Sequence, residues 1–186
     1  MHGVILSKLK DYVLDTRGAD AWDAIRNDAG MPDSSFVPIR IYPDEDLDAL
    51  LESAGKLTGL PRVSILEDFG EWVIPPLISM YRAMIPEDWD AVDFLTNVDE
   101  RVHERVIRMK DPEARPPSIG VTEVAPRELE ITYRSHRNMS ALAIGCVRGV
   151  AAYYGEEMQL LEKGREENGV RCFRVRLTPI KGAATG

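Results

Sequence analysis

Glu128-Leu129-Glu130-Ile131-Thr132-Tyr133-Arg134-Ser135-His136-Arg137 is the stretch on which the reading of this fold turns. Before it, apolar residues recur at helical steps. Across Glu128–Tyr133 they alternate one by one, the period of a half-buried strand. If the extended run continues to Arg137, then Tyr133, Ser135 and Arg137 project from one face and His136 from the other. A phenol, a hydroxyl and a guanidinium on one face form a donor set suited to a buried anion, because the planar guanidinium fork matches a carboxylate. The plainer reading is a polar strand face in water, and the spacing alone leaves both open.

Downstream, Ser140–Tyr154 is rich in alanine, glycine and larger apolar residues and reads as a packed helix. Met158–Glu162 and Val170–Leu177 read as strands with Glu167-Asn168-Gly169 as the turn between them. Pro179–Gly186 reads as an unstructured tail, such as the start of a linker. Immediately upstream, Pro112, Pro116 and Pro117 make a rigid connection that no helix can continue through. Ahead of them lies the clearest helical pattern, Asp90–Met109, with Leu95, Val98, Val102, Val106 and Met109 on one stripe. His103 sits at the edge of that stripe, beside charged Glu100, Arg101, Glu104, Arg105 and Arg108.

The first third is helical in pattern. Residues 3–17 carry Ile5, Leu9, Tyr12 and Val13 at helical spacing and stop at Gly18; Ala21–Ala29 forms a second short helix with Trp22 and Ile25 inward. Phe36–Tyr42 is extended and irregular. Asp44, Asp46 and Asp48 precede an apolar pattern through Leu47, Leu50, Leu51 and Ala54, where acidic residues favour a helix N-terminus. Calcium binding by these aspartates lacks the glycine and terminal glutamate that such a loop needs. A further helix starts at Arg62 and is expected to break at Pro75-Pro76, with Leu77, Ile78, Tyr81 and Met84 resuming the periodicity. The fold class is thus α+β, a mainly helical first part followed by strand, helix and hairpin.

The chain has 186 residues, 44% hydrophobic and 29% charged, which suits one soluble domain with room for a pocket. Its net charge of −8 argues against a nucleic-acid surface. No apolar run approaches the ~20 residues of a membrane span, and the opening residues do not resemble a signal peptide. Cys146 and Cys172 make neither a disulfide framework nor a metal cluster, so a cytoplasmic location is expected. Each is read first as a small buried hydrophobe, with thiol redox or ligation as the minority role for Cys146.

A lone histidine on an apolar helix edge is ordinarily a satisfied core residue. His103 gains a second reading from its company, since an axial imidazole for haem iron needs one rigid histidine beside an apolar cavity. Haem also buries two carboxylates that require donors. At this point the chain resembles the haem-nitric oxide/oxygen binding (H-NOX) family, also found as the sensor of soluble guanylate cyclase. Its Tyr-x-Ser-x-Arg motif is matched by Tyr133, Ser135 and Arg137, its proximal histidine by His103, its proline segment by Arg115-Pro116-Pro117, and its Met-x-Gly start by Met1-His2-Gly3.

The resemblance covers roughly residues 1–178 as one domain, with a helical lobe over about 1–60, a haem-binding remainder over 61–178, and a flexible tail at 179–186. It implies a helical N-terminal lobe packed on a C-terminal lobe of antiparallel sheet and helices, with haem b (iron protoporphyrin IX) between them. It further implies that His103 ligates the iron, that Tyr133, Ser135 and Arg137 clasp the propionates, and that Pro117 presses on the porphyrin. Ile5, Leu9, Leu142 and Cys146 would line the cofactor pocket. His136, on the alternate position, and His2, at the terminus, are not expected to reach the iron.

Oxygen-binding members of the family carry a distal tyrosine where this chain has Leu142, and a tryptophan where it has Leu9. Both departures remove donors that stable oxygen binding uses. A charge-assisted hydrogen bond contributes about 1.5–3 kcal/mol, so the resemblance implies a sensor of nitric oxide, with weaker carbon monoxide binding and no stable oxygen complex. Nitric oxide opposite His103 would weaken or break the His103–iron bond and let the haem relax. Such a module acts through a partner: a histidine kinase, a cyclic-di-nucleotide enzyme or another signalling protein. Two other classes stay open. No convincing nucleophile, base and acid set supports an enzyme, whereas a haem-free regulatory or protein-interaction module of the same fold, binding another pocket ligand, is the alternative.

Overall fold

A computed structural model of the chain describes residues 1–99 and 117–180. His103, Arg115 and Pro116 lie outside the described residues, as does the expected helix beyond Asp99. The chain divides into two compact units, Met1–Phe69 and Gly70–Gly186.

The first unit contains α1 (Gly3–Arg17), α2 (Ala19–Asp28), α3 (Asp44–Thr58) and the start of α4 (Arg62–Met80). The helical spacing of α1 carries Gly3, Leu6, Leu9 and Val13 to its buried side. Trp22 and Ile25 from α2 are buried too, and α3 adds Leu47, Leu50, Leu51 and Ala54. Burying each large apolar side chain stabilises by roughly 1.5–3 kcal/mol. Ser53, buried on α3, donates its hydroxyl to the Ile25 carbonyl at 2.9 Å. A cavity of about 30 Å³ remains among these helices, with Leu9, Tyr12, Trp22, Ile25 and Leu51 in its wall.

The start of α1 explains Gly3. Its amide donates to the Arg40 carbonyl at 2.7 Å, and a Cβ there would meet that oxygen at 2.8 Å and the Tyr42 ring at 2.9 Å. His2 caps the helix, its Nδ1 accepting from the Val4 amide at 3.5 Å. The aspartates ahead of α3 do not converge: Asp44 and Asp46 sit in its first turn, while Asp48 pairs with Arg62 at 2.6 Å. No group of metal-ligating side chains occurs among the described residues, and none of the described helices is long and apolar enough to cross a membrane.

The break expected at Pro75-Pro76 does not occur: α4 runs unbroken from Arg62 to Met80. A proline at 75 deprives the Glu71 carbonyl of its i+4 donor. That oxygen faces Gly149 of α6 (Ser140–Tyr153), where a Cβ would stand 2.6 Å from it. Only a backbone without a side chain can approach the bared carbonyl so closely. A 3-10 turn, Arg82–Met84, follows α4, and α5 begins at Ala91 and is described to Val98.

The second unit is built on one antiparallel sheet in the order β1-β2-β5-β3, from β1 (Ser118–Ala125), β2 (Glu128–Arg134), β3 (Glu156–Glu162) and β5 (Val170–Pro179). The short β4 (Glu166–Glu167) pairs with β5. The register sets Leu129 opposite Val175 and Ile131 opposite Phe173, all fully buried on the inner face, against which α6 packs. On the other face Arg176 pairs with Glu128 at 3.0 Å and Arg174 with Glu130 at 3.5 Å.

Three features differ from the sequence reading. β1 was not foreseen, because it is an edge strand with no buried position and so no clean alternation. The Asn168-Gly169 turn joins β4 to β5 rather than β3 to β5, with both residues at positive φ, 52° and 73°, as a tight two-residue hairpin requires. β5 continues to Pro179, and the Ile180 amide donates to the Gly155 carbonyl at 2.9 Å, so sheet contacts reach the last described residue.

Candidate functional site

β2 ends at Arg134, so the extended run does not reach Arg137. The Ser135 amide donates instead to the Gly169 carbonyl at 2.8 Å, and the chain turns through Asn138 at φ 49° into α6. The alternation of burial survives this turn. Tyr133 is 5% exposed and Ser135 8%, Arg137 is half-buried, while Arg134 and His136 face water. The three motif residues therefore end up together although only Tyr133 lies within the strand.

Their contacts make one group. The Arg137 amide donates to Ser135 Oγ at 3.2 Å, and the Tyr133 and Ser135 side chains are hydrogen-bonded to each other. Burial is the main cause that raises the phenol's pKa above its ordinary value. The bond to Ser135 and the Arg137 charge work the other way, while Cys146 and Glu166 add to the rise. Tyr133 is thus a neutral donor at physiological pH. A neutral phenol, a hydroxyl and a guanidinium at one sheet end can receive a carboxylate, and they fit the propionates of a haem in chemistry and in burial.

Leu142 and Cys146 lie one turn apart on α6 and share a face, both half-buried. Burial pushes the Cys146 thiol up to about 12, so it remains protonated at neutral pH. α6 runs close to α4 here: a Cβ on Gly70 would stand 2.9 Å from the Cys146 amide nitrogen. Pro117, half-buried, directly precedes β1. In the first unit Ile5 is half-buried and Leu9 is buried on α1, where Leu9 borders the small cavity. The second unit therefore gathers Tyr133, Ser135, Arg137 and Cys146, and it carries Leu142 on the same helix as the thiol.

Two charged residues of this site escaped the sequence reading. Glu166 and Arg171 stand opposite each other across the hairpin, with their ion pair at 3.2 Å. Glu166 also accepts a hydrogen bond from the Ser140 hydroxyl. The signal was present: a two-residue Asn-Gly turn fixes the register, and counting outward places residue 166 opposite residue 171.

A helical unit is followed by a sheet-and-helix unit, in which Tyr133, Ser135 and Arg137 gather where β2 gives way to α6. The chain belongs to the haem-NO-binding family, whose model matches residues 2–162. Members of this family are non-catalytic gas-sensor domains that typically hold haem and pair with signalling proteins. An H-NOX protein from S. oneidensis, solved in the iron(II)–NO state, superposes with a TM-score of 0.86 at 18% identity, covering 96% of this chain and 99% of that one. The unliganded iron(II) protein from K. algicida gives 0.82 at 19% identity over 97% and 98%. An I5F mutant of the T. tengcongensis H-NOX gives 0.82 at 23% over 97% and 100%. A search of curated protein sequences finds no match.

Proposed function

We propose that this domain holds haem b and senses nitric oxide, with carbon monoxide as a weaker ligand and without stable oxygen binding. The observation that carries the reading is the buried Tyr133–Ser135–Arg137 donor group, beside a helix that presents Leu142 and a neutral Cys146 thiol. Haem supplies an iron centre with an open position for a diatomic gas. His103 would supply the imidazole ligand, Tyr133, Ser135 and Arg137 would hold the propionates, and Pro117 would lie against the ring.

By the family resemblance, Leu142 and Leu9 stand at the positions where oxygen-binding members carry donors, which leaves a gas that needs a donor without one. Nitric oxide binds strongly without such a bond, so the selectivity follows from what these side chains lack. Release of His103 would be the signal. A partner with different affinity for the two states would read the change. A histidine kinase or a cyclic-di-nucleotide enzyme in the cytoplasm is the kind of partner that fits, with residues 1–178 acting as one sensor.

His103→Gly is expected to abolish stable haem retention unless imidazole is supplied in solution. An unchanged five-coordinate ferrous spectrum from this variant without imidazole would defeat the assignment of His103.

A further inference from the structure

The wall of the carboxylate site contains a charged pair outside the donor motif. Arg171 stands opposite Tyr133 across β2 and β5, and opposite Glu166 across β4 and β5. Residues directly opposite in antiparallel strands share a face, so this guanidinium borders both the phenol and the acid. Glu166 Oε2 accepts from Arg171 Nη2 at 3.2 Å and from the Ser140 hydroxyl. The two side chains are only 18% and 20% exposed. Each still holds a buried polar atom without a partner, an acceptor at Glu166 Oε1 and a donor at Arg171 Nε. The charge of Glu166 also reaches Tyr133, where it opposes that of Arg137.

We propose that Arg171 is a further guanidinium for the cofactor's carboxylates and that Glu166 is an internal competitor which limits its availability. This rests on the haem reading above. Glu166 and a bound carboxylate are like charges at one site, and Arg171 cannot give the same N–H to both. The acid therefore weakens cofactor retention while the guanidinium strengthens it. A pair that merely braced the hairpin would behave differently, since losing either member would then loosen the site. Opposite signs distinguish the two roles.

The test is the rate at which haem-loaded protein surrenders its haem to excess apomyoglobin, read for wild type, Glu166→Gln, Arg171→Gln and the double variant. Thermal midpoints of the haem-free proteins are measured alongside. Glu166→Gln keeps the shape and can still accept from Ser140, and it is expected to release haem about tenfold more slowly, the size a charge-assisted bond carries. Arg171→Gln is expected to release it at least about tenfold faster, with the double variant between the two. Release from Glu166→Gln at the wild-type rate or faster would overturn the proposal, as would an unchanged rate in Arg171→Gln. If Arg171→Gln does not fold, the sign of the Glu166→Gln effect decides alone. A wild-type protein that takes up no haem defeats the haem reading and this inference with it. A haem-loaded wild type with an indifferent Glu166→Gln defeats this inference only.

Discussion

At the scale of single residues, burial decides which groups are donors and which are inert. Tyr133 is held still further from ionisation than a free phenol, because burial outweighs the bond to Ser135 and the nearby Arg137 charge. Cys146 stays a thiol for the same reason, with its pKa at about 12. Cys172 differs, lying exposed on β5. Thiolate is the reactive form, so at about pH 8 Cys172 is expected to react with a disulfide reagent while Cys146 does so only after denaturant is added. Counting thiols released with and without denaturant checks this, and two rapid equivalents in the native protein would contradict it. These side chains were legible as types: the three donors are read from spacing, Leu142 from the family resemblance, and the thiol from its place one turn beyond Leu142. What spacing could not give was the acid, because Glu166 enters the site through pairing with Arg171 rather than through any local pattern.

Among elements, one connection holds the site and another ties the far end of the sheet to α5. The β4–β5 hairpin fixes the turn after β2 through the bond from Ser135 to Gly169, and a Cβ on Gly169 would run into the Ser135 carbonyl oxygen. With φ at 73° as well, Gly169→Ala is expected to cost roughly 1–3 kcal/mol and to speed haem loss, both measurable by thermal unfolding and haem transfer. The second connection is Arg127 in the β1–β2 turn, held at φ 59°. Its guanidinium donates to Asp90, the N-cap of α5, at 3.0 Å, and to the buried carboxylate of Glu156 at the start of β3.

Arg127→Met would leave Glu156 buried without its partner. The expected loss at neutral pH is roughly 1–3 kcal/mol, less than a fully buried pair gives because Arg127 is 32% exposed. Asp90 adds a pH signature. Burial tends to raise its pKa, but bonds from the Asp93 amide and from Arg127 outweigh this and hold it below 3.8. A depressed carboxyl stabilises above its unfolded pKa and loses that contribution as pH falls through the folded value. The gap between wild type and Arg127→Met in denaturant unfolding should therefore narrow below about pH 4; a gap independent of acid would remove Asp90 from the account. The elements themselves were largely readable. The failures share a cause: β1 lacks a buried side, the Pro75-Pro76 pair sits in a helix packed closely against Gly149 of a distant helix, and β2 ends early because a hairpin captures Ser135. Each depends on a tertiary partner that local periodicity does not contain.

For the molecule as a whole, the family and the two-unit architecture are settled, and the choice of gas is the central claim. It depends on the apolar surface of Leu142 and Leu9 and on release of His103. The most direct test is the absorption spectrum of the ferrous, haem-loaded wild-type protein, first in air-saturated buffer and then with nitric oxide. The account predicts no persistent oxygen complex in air, and with nitric oxide a spectrum at least partly that of five-coordinate haem. A stable six-coordinate oxygen complex in air would contradict it, because some other side chain would then be supplying the donor that Leu142 and Leu9 cannot.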